Sequence, residues 1–172
     1  MEGYKIPTLL NNFNTYAAGH KYVGVSSEAT LPNFEYLTET LEGAGIAGDI
    51  EEAVEGCFAS MESETSFQNM GEEYFKFLAQ TDTVIYRGSM QVLNTGTQTN
   101  DFEGIVVTTK GRVKSFELGT LKRGGKGEPK IVRELTYVKV TIGGQNVLEL
   151  DKFNMVWKLY GVDRLQKVRS QI

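Results

Sequence analysis

The chain has 172 residues, 40% of them apolar and 23% charged, with a formal net charge of −4, which suits a soluble globular domain with its own core. One histidine, His20, and one cysteine, Cys57, leave no spare parts for a Cys/His dyad or a thiolate–imidazole metal site and exclude an internal disulfide. No apolar run approaches the ~20 residues that span a bilayer, and the N-terminus lacks a signal peptide's basic-then-apolar order, so the sequence predicts a cytoplasmic product with no membrane insertion.

Residues 1–20 are rich in Asn and carry Pro7, Leu9, Leu10, Phe13 and Tyr16 without a clean period, which predicts an extended arm. Phe34–Glu42 alternates as a strand. The next fourteen residues, 43–56, hold glycines and the cluster Asp49, Glu51, Glu52 and Glu55, and are expected as one long acidic loop. Gly43, Gly45 and Gly48 have the spacing of a dinucleotide-binding loop, but the acids that follow would repel a pyrophosphate. Phe58–Phe67 reads as a second strand with Ser60, Glu62, Glu64 and Ser66 on one face. Its other face, Ala59, Met61, Ser63, Thr65 and Phe67, is lightly apolar, so neither face promises a rich core. Long strands of this kind need their edges covered, by their own chain or by a neighbour.

Gly71–Gln80 predicts a helix with Tyr74, Phe77 and Leu78 on one stripe and Glu72 and Glu73 in the first turn, where the helix dipole favours acids. Val84–Leu93 then places Val84, Tyr86, Met90 and Val92 on one side of a strand and Arg87, Ser89 and Gln91 on the other. Ile105, Val107 and Val113 alternate with Thr108, Lys110, Arg112 and Lys114, which puts three cations on one face. A glycine-rich basic loop follows at 119–130, with Lys122, Arg123, Lys126 and Lys130. It lacks the aromatic platforms of a single-strand nucleic-acid binder, and the acidic balance of the whole chain argues against that role.

Ile131–Ile142 is expected to turn at Gly143-Gly144-Gln145-Asn146 into Val147–Leu150. Phe153, Met155, Trp157 and Leu159 form a further alternating set after a slip in phase near Asp151. Asp163–Ile172 predicts a short core-packing helix with Leu165, Val168 and Ile172 on one side and a capping-box spacing between Asp163 and Gln166. The pattern as a whole is mostly β, an antiparallel sandwich or barrel with a flanking helix and a short C-terminal helix, in a single domain over 1–172.

Charge is divided along the chain. Residues 1–80 carry thirteen acids and three bases, and residues 81–172 carry nine acids and fifteen bases. If the halves occupy opposite surfaces, copies of the chain attract head to tail; if they intermix, the charges merely solvate one surface.

An ordered set of short motifs then resembles a known family. These are Leu10–Phe13, Tyr22-Val23-Gly24-Val25, Thr30-Leu31-Pro32, Gly43-Ala44-Gly45, Thr136-Tyr137-Val138-Lys139-Val140-Thr141, Met155-Val156-Trp157-Lys158 and Gly161-Val162-Asp163-Arg164-Leu165. Together they resemble the major tail tube proteins of contractile-tailed phages and phage-tail-like bacteriocins. The resemblance implies a non-enzymatic subunit without cofactor, whose six-fold rings stack into a tube inside a sheath. Baseplate and tape-measure components are its further partners, and DNA passes through the lumen without specific binding. It implies assembly in the host cytoplasm and a place in the tail of the particle.

In that light Glu62 and Glu64 become candidates for lining the lumen. Asp49, Glu51, Glu52, Glu55, Lys110, Arg112, Lys114, Lys122 and Arg123 become candidates for contacts between subunits or rings. Each also has a plain reading as solvated surface. The alternative within the same fold is the tube protein of a type VI secretion system.

Overall fold

A computed structural model describes residues 3–80 and 82–172. In chain order the elements are β1 Lys5–Ala17, β2 His20–Tyr22, β3 Ser26–Thr30, β4 Tyr36–Leu41, β5 Ile50–Phe58, β6 Glu62–Phe67, α1 Glu72–Ala79, β7 Thr83–Asn94, β8 Thr99–Glu117, β9 Lys130–Ile142, β10 Gln145–Asp151, β11 Val156–Leu159, β12 Val162–Asp163 and α2 Gln166–Gln171. Every pairing is antiparallel. The main sheet runs β12-β11-β10-β9-β8-β7-β1-β2, and β6 and β3 branch from the N-terminal half of β9.

Register across the main sheet explains why it folds with one face inward. Ala17, Val84, Thr109, Val138, Leu150 and Trp157 lie in one row across six strands, and all six are buried. The neighbouring row, Tyr16, Ile85, Thr108, Lys139, Glu149 and Lys158, points the other way and is almost wholly polar. A shift of one residue in any strand would exchange these rows, which is what specifies the pairing.

The branch β6–β3 curls over the inner face. Thr65 Oγ1 lies 2.7 Å from Tyr86 Oη, and Thr15 Oγ1 lies 3.0 Å from Ser26 Oγ. The curled sheet is therefore joined across its gap by side chains rather than by a backbone ladder, and no closed barrel forms. Helix α1 covers the end of this gap as its stripe predicts. Tyr74 and Phe77 are fully buried against Phe67, with ring centroids 5.2 and 5.1 Å away. Lys76 reaches back to Glu72 and Glu73 in the first turn.

Several expectations change. Within the extended arm expected over residues 1–20, Lys5–Ala17 is a thirteen-residue strand docked on its own domain by pairing with β7. Residues 1 and 2 of that stretch lie outside the described part of the chain. Two register irregularities, at Pro7/Leu9 and Leu10/Asn12, scramble its alternation and hide it from a period-2 reading. The acidic loop is half strand: Ile50–Phe58 pairs with β4 in a separate two-stranded hairpin whose turn is residues 42–49. The glycine triplet sits in that turn, with strand rather than helix after it. The strand after the first hairpin starts only at Glu62, and both of its edges are taken within the chain, by β3 and β9. Its lightly apolar face is core: Met61, Ser63, Thr65 and Phe67 are buried.

At the C-terminal end the predicted turn tightens to Gly143-Gly144, both at positive φ, a two-residue hairpin that leaves Gln145 and Asn146 in β10. The phase slip at Asp151 is a strand break made by a turn over 152–155, and Phe153 there is exposed rather than core. Helix α2 has six residues and buries none of them; Leu165, just before it, is buried, while Val168 and Ile172 are exposed. Asp163 does not cap it. One carboxylate oxygen accepts the Leu165 N–H and the other pairs with Arg169, whose guanidinium also donates to the Met155 carbonyl.

That ion pair has a pH signature. Arg169 beside Asp163 holds its carboxyl below the usual range. Because the folded-state value lies below the unfolded one, the pair's contribution is complete above the ordinary carboxylate pKa and fades as pH falls through the folded-state value. Hydrogen-exchange protection at residues 163–172, taken relative to the intrinsic rate at each pH, is therefore expected to fall at acid pH ahead of that of the sheet. Asp163→Asn should abolish that pH dependence, and if exchange in the two proteins stays parallel the pairing is not what holds α2.

Candidate assembly surfaces

The candidate residues fall in four charged segments, which the structure places apart. Glu62 and Glu64 stand on the outward face of β6 beside β9. Neither is a bare carboxylate: Lys114 of β8 pairs with Glu62, and Lys130 of β9 with Glu64 at 2.9 Å. Glu134, opposite Glu62 in the register, accepts a hydrogen bond from Ser60 at 2.6 Å. The outward face near β6 is thus a lattice of alternating charge, not an acidic wall. All of these groups are partly exposed, so the pairs add little to stability.

Lys110, Arg112 and Lys114 do share one face. They line a cleft of about 690 Å³ together with Asp82, Glu134 and Phe153. Lys114 is engaged by Glu62, and Lys110 lies 5.1 Å from the Tyr137 ring. Tyr137 in turn donates to Glu149 at 3.0 Å, and burial with that bond pushes its hydroxyl pKa up to about 12. Of the three cations, Lys110 and Arg112 make no ion pair among the described residues.

The hairpin β4–β5 carries Asp49 in its turn and Glu51, Glu52 and Glu55 on β5. Glu55 pairs with Arg164 at 3.5 Å. Glu52 stands directly opposite Glu39, a like-charge cross-strand pair that works against the hairpin. The hairpin is anchored at its base, where Phe58 meets Trp157 at 4.9 Å and Tyr36 at 4.5 Å, and Phe34 stacks on Trp157 at 6.2 Å. Beyond that joint Leu37, Leu41, Ile46, Ile50 and Val54 are exposed. Residues 118–126, holding Lys122 and Arg123, form an exposed finger between β8 and β9, fastened at Gly127, whose N–H donates to Asn69 Oδ1 and the Gln68 carbonyl.

One cluster escaped the sequence reading. Arg133 is fully buried inside the curled sheet, where it donates to Thr109 Oγ1 at 2.9 Å and reaches the Asp82 carbonyl at 3.4 Å. Burial pulls its pKa below the usual arginine value, and Tyr86 and Asp82 oppose the shift. Its signal was present: Ile131, Arg133 and Leu135 share the inward phase of β9. No described helix is long and apolar enough to cross a membrane.

The free backbone is equally informative. Strand β1 pairs with β2 only through Thr15, Tyr16 and Ala17, so its outer edge from Lys5 to Asn14 has no strand partner among the described residues. An open sheet with an unpaired edge, an outward polar face and protrusions of opposite charge is suited to meeting other chains, not to holding a small substrate.

Comparison with known proteins agrees with that reading. The family model described as phage tail tube protein FII matches residues 7–172. The tail tube protein of Escherichia phage P2 is 31% identical over 172 residues, covering 97% of this chain and 98% of that protein. The major tail tube protein of Serratia phage KSP20 is 24% identical over 157 residues, covering 91% and 90%. Matches of this extent span the strands, the hairpin and the finger alike, and they show a structural rather than an enzymatic protein. The chain belongs to the phage tail tube protein FII family, the major tube subunits of contractile-tailed phages.

Proposed function

We propose that this chain forms six-membered rings that stack into the inner tube of a contractile tail and serve as a conduit through the target envelope. The open sheet is the observation that carries the reading. With its edge at β1 unpaired from Lys5 to Asn14, the sheet can be continued by the next protomer, and repetition around a closed ring yields a tube wall. The ring number comes from the family resemblance. The sheath surrounds this tube, and baseplate and tape-measure proteins bound its ends. Assembly takes place in the host cytoplasm before the particle is released.

Glu62 and Glu64 are the proposed lumen-lining carboxylates, where negative charge keeps DNA phosphates from adhering. Because each is matched by a lysine in its own chain, the surface offered to passing DNA is patterned in charge rather than uniformly acidic. Electron microscopy of the purified protein and of tails containing it tests the assembly: rings or hollow tubes are expected, and a protein that forms neither, even with its tail partners, would overturn it. For the lumen, Glu62→Lys with Glu64→Lys is expected to leave ring formation intact and slow DNA ejection. Unchanged ejection would remove these two residues from the lumen.

A further inference from the structure

The interior of the curled sheet holds a cation that no carboxylate of the described residues meets. Arg133 is fully buried, and so are Ile131 and Leu135, its neighbours on the inward phase of β9. Met61, just before β6, is buried with them, and its carbonyl accepts the Leu135 N–H at 2.8 Å. Apolar groups on this scale keep water, and its screening, away from the guanidinium. A charge so placed is costly unless an opposite charge reaches it, and none of the ion pairs includes Arg133.

The hydrogen bonds that Arg133 makes go to neutral oxygens. One terminal nitrogen donates to Thr109 Oγ1 at 2.9 Å and the other to the Asp82 carbonyl at 3.4 Å, which uses two of the five guanidinium N–H groups. The Nε–H is buried without a partner among the described residues, and so is the Ser63 hydroxyl. These two belong to one place. Ser63 and Arg133 stand opposite each other in the β6–β9 register, and directly opposed residues of an antiparallel pair put their side chains on the same face, with Cβ atoms about 5 Å apart. The other hydroxyls facing this interior are already engaged. Thr65 Oγ1 and Tyr86 Oη lie 2.7 Å apart, and Thr109 donates to the Val84 carbonyl at 3.1 Å. Two adjacent donors, one of them cationic, are therefore left to share an acceptor.

We propose that the curled sheet binds one small monovalent anion of chloride's size, held between the Arg133 Nε–H and the Ser63 hydroxyl. A water molecule could accept the same two hydrogen bonds but would leave the guanidinium charge without a counter-charge; a halide supplies both. Met61, Thr65, Thr109, Ile131 and Leu135 around it are all fully buried, so no phosphate ester or acidic side chain can extend in from outside. The ligand is a free ion, taken up as the sheet closes. The site is separate from the Lys110–Arg112–Lys114 cleft, whose lining includes neither Arg133 nor Ser63. It lies within one chain and does not depend on ring or tube assembly.

Urea unfolding of three full-length chains tests the site: the unmodified protein, Arg133→Met and Ser63→Ala. Chloride is exchanged for gluconate, which is too large for the interior, at constant ionic strength. General salt effects act alike on the three chains, so the differences between them report the site. The midpoint of the unmodified chain is expected to rise with chloride along a saturating curve. Arg133→Met should lack that component. Ser63→Ala keeps the cation and loses one hydrogen bond to an ion, so its curve should reach half-saturation at about tenfold more chloride. Parallel chloride dependence in all three chains would overturn the proposal and leave water as the partner of Arg133. A Ser63→Ala curve that coincides with the unmodified one would overturn the site as drawn.

A second measurement needs no variant. The unmodified chain, refolded from urea in concentrated sodium bromide and crystallised from it, should show an anomalous bromine peak within hydrogen-bond reach of Arg133 Nε and Ser63 Oγ. Absence of a peak there overturns the proposal, whatever bromide is seen on the surface.

Discussion

Trp157→Ala is expected to cost about 3–5 kcal/mol of unfolding free energy, the range for removing a large buried aromatic, and to release the β4–β5 hairpin from the body of the protein. Trp157 closes the buried row at its far end and is also the surface on which Phe34 and Phe58 rest. The hairpin otherwise makes a two-stranded sheet of its own, and such a pair is marginal in water without a support. Urea unfolding should show the loss in midpoint. Hydrogen exchange should show residues 36–58 losing protection well before the main sheet. Trp157→Phe is the control: it keeps a ring and discards an indole N–H that has no partner among the described residues, and should lose far less. Equal losses for the two variants, or a hairpin as protected as before, would show that the joint lies elsewhere.

Arg133 offers the second large effect, with a contrast between two replacements. Arg133→Ala empties a fully buried site among Thr109, Tyr86 and Thr65 and is expected to cost about 2–5 kcal/mol. Arg133→Met keeps most of the volume and removes a cation that no carboxylate contacts directly among the described residues, so it should come within about 1 kcal/mol of the unmodified chain or exceed it. Thr109 keeps a partner in either case, because its hydroxyl also donates to the Val84 carbonyl at 3.1 Å. Both stabilities can be read from urea titrations with unchanged slope. A methionine variant as weak as the alanine variant would mean that the guanidinium hydrogen bonds, rather than the space it fills, support the curled sheet.

Parts of this architecture were legible in the residues because they depend on local pattern alone. The alternation of Val84, Tyr86 and Val92 placed β7 with the correct face inward. The Tyr74–Phe77 stripe placed α1, and Gly143-Gly144 placed the tightest hairpin. What stayed hidden had a physical reason in each case. Irregular register in β1 broke the period that marks a strand. The acids of β5 made a strand look like a loop, since nothing in local composition announces a hairpin that is exposed on nearly every residue. Strand β6 looked too polar for a core because the interior it faces is itself polar, with Thr15, Thr109 and Arg133 buried there.

Sequence by itself determined the strand periods, the tight glycine turn, the acidic and basic ends and, through its ordered motifs, the tail tube family. Tertiary structure decided which carboxylates are free. Glu62 and Lys114 are 52 positions apart and Glu64 and Lys130 are 66, and only the joining of β6 and β8 through β9 brings each pair together. It also decided that the hairpin and the finger leave from opposite ends of β6. Local pattern acts over a few residues and reports which way a side chain points, whereas its partner is set by strand order, which no window along the chain contains.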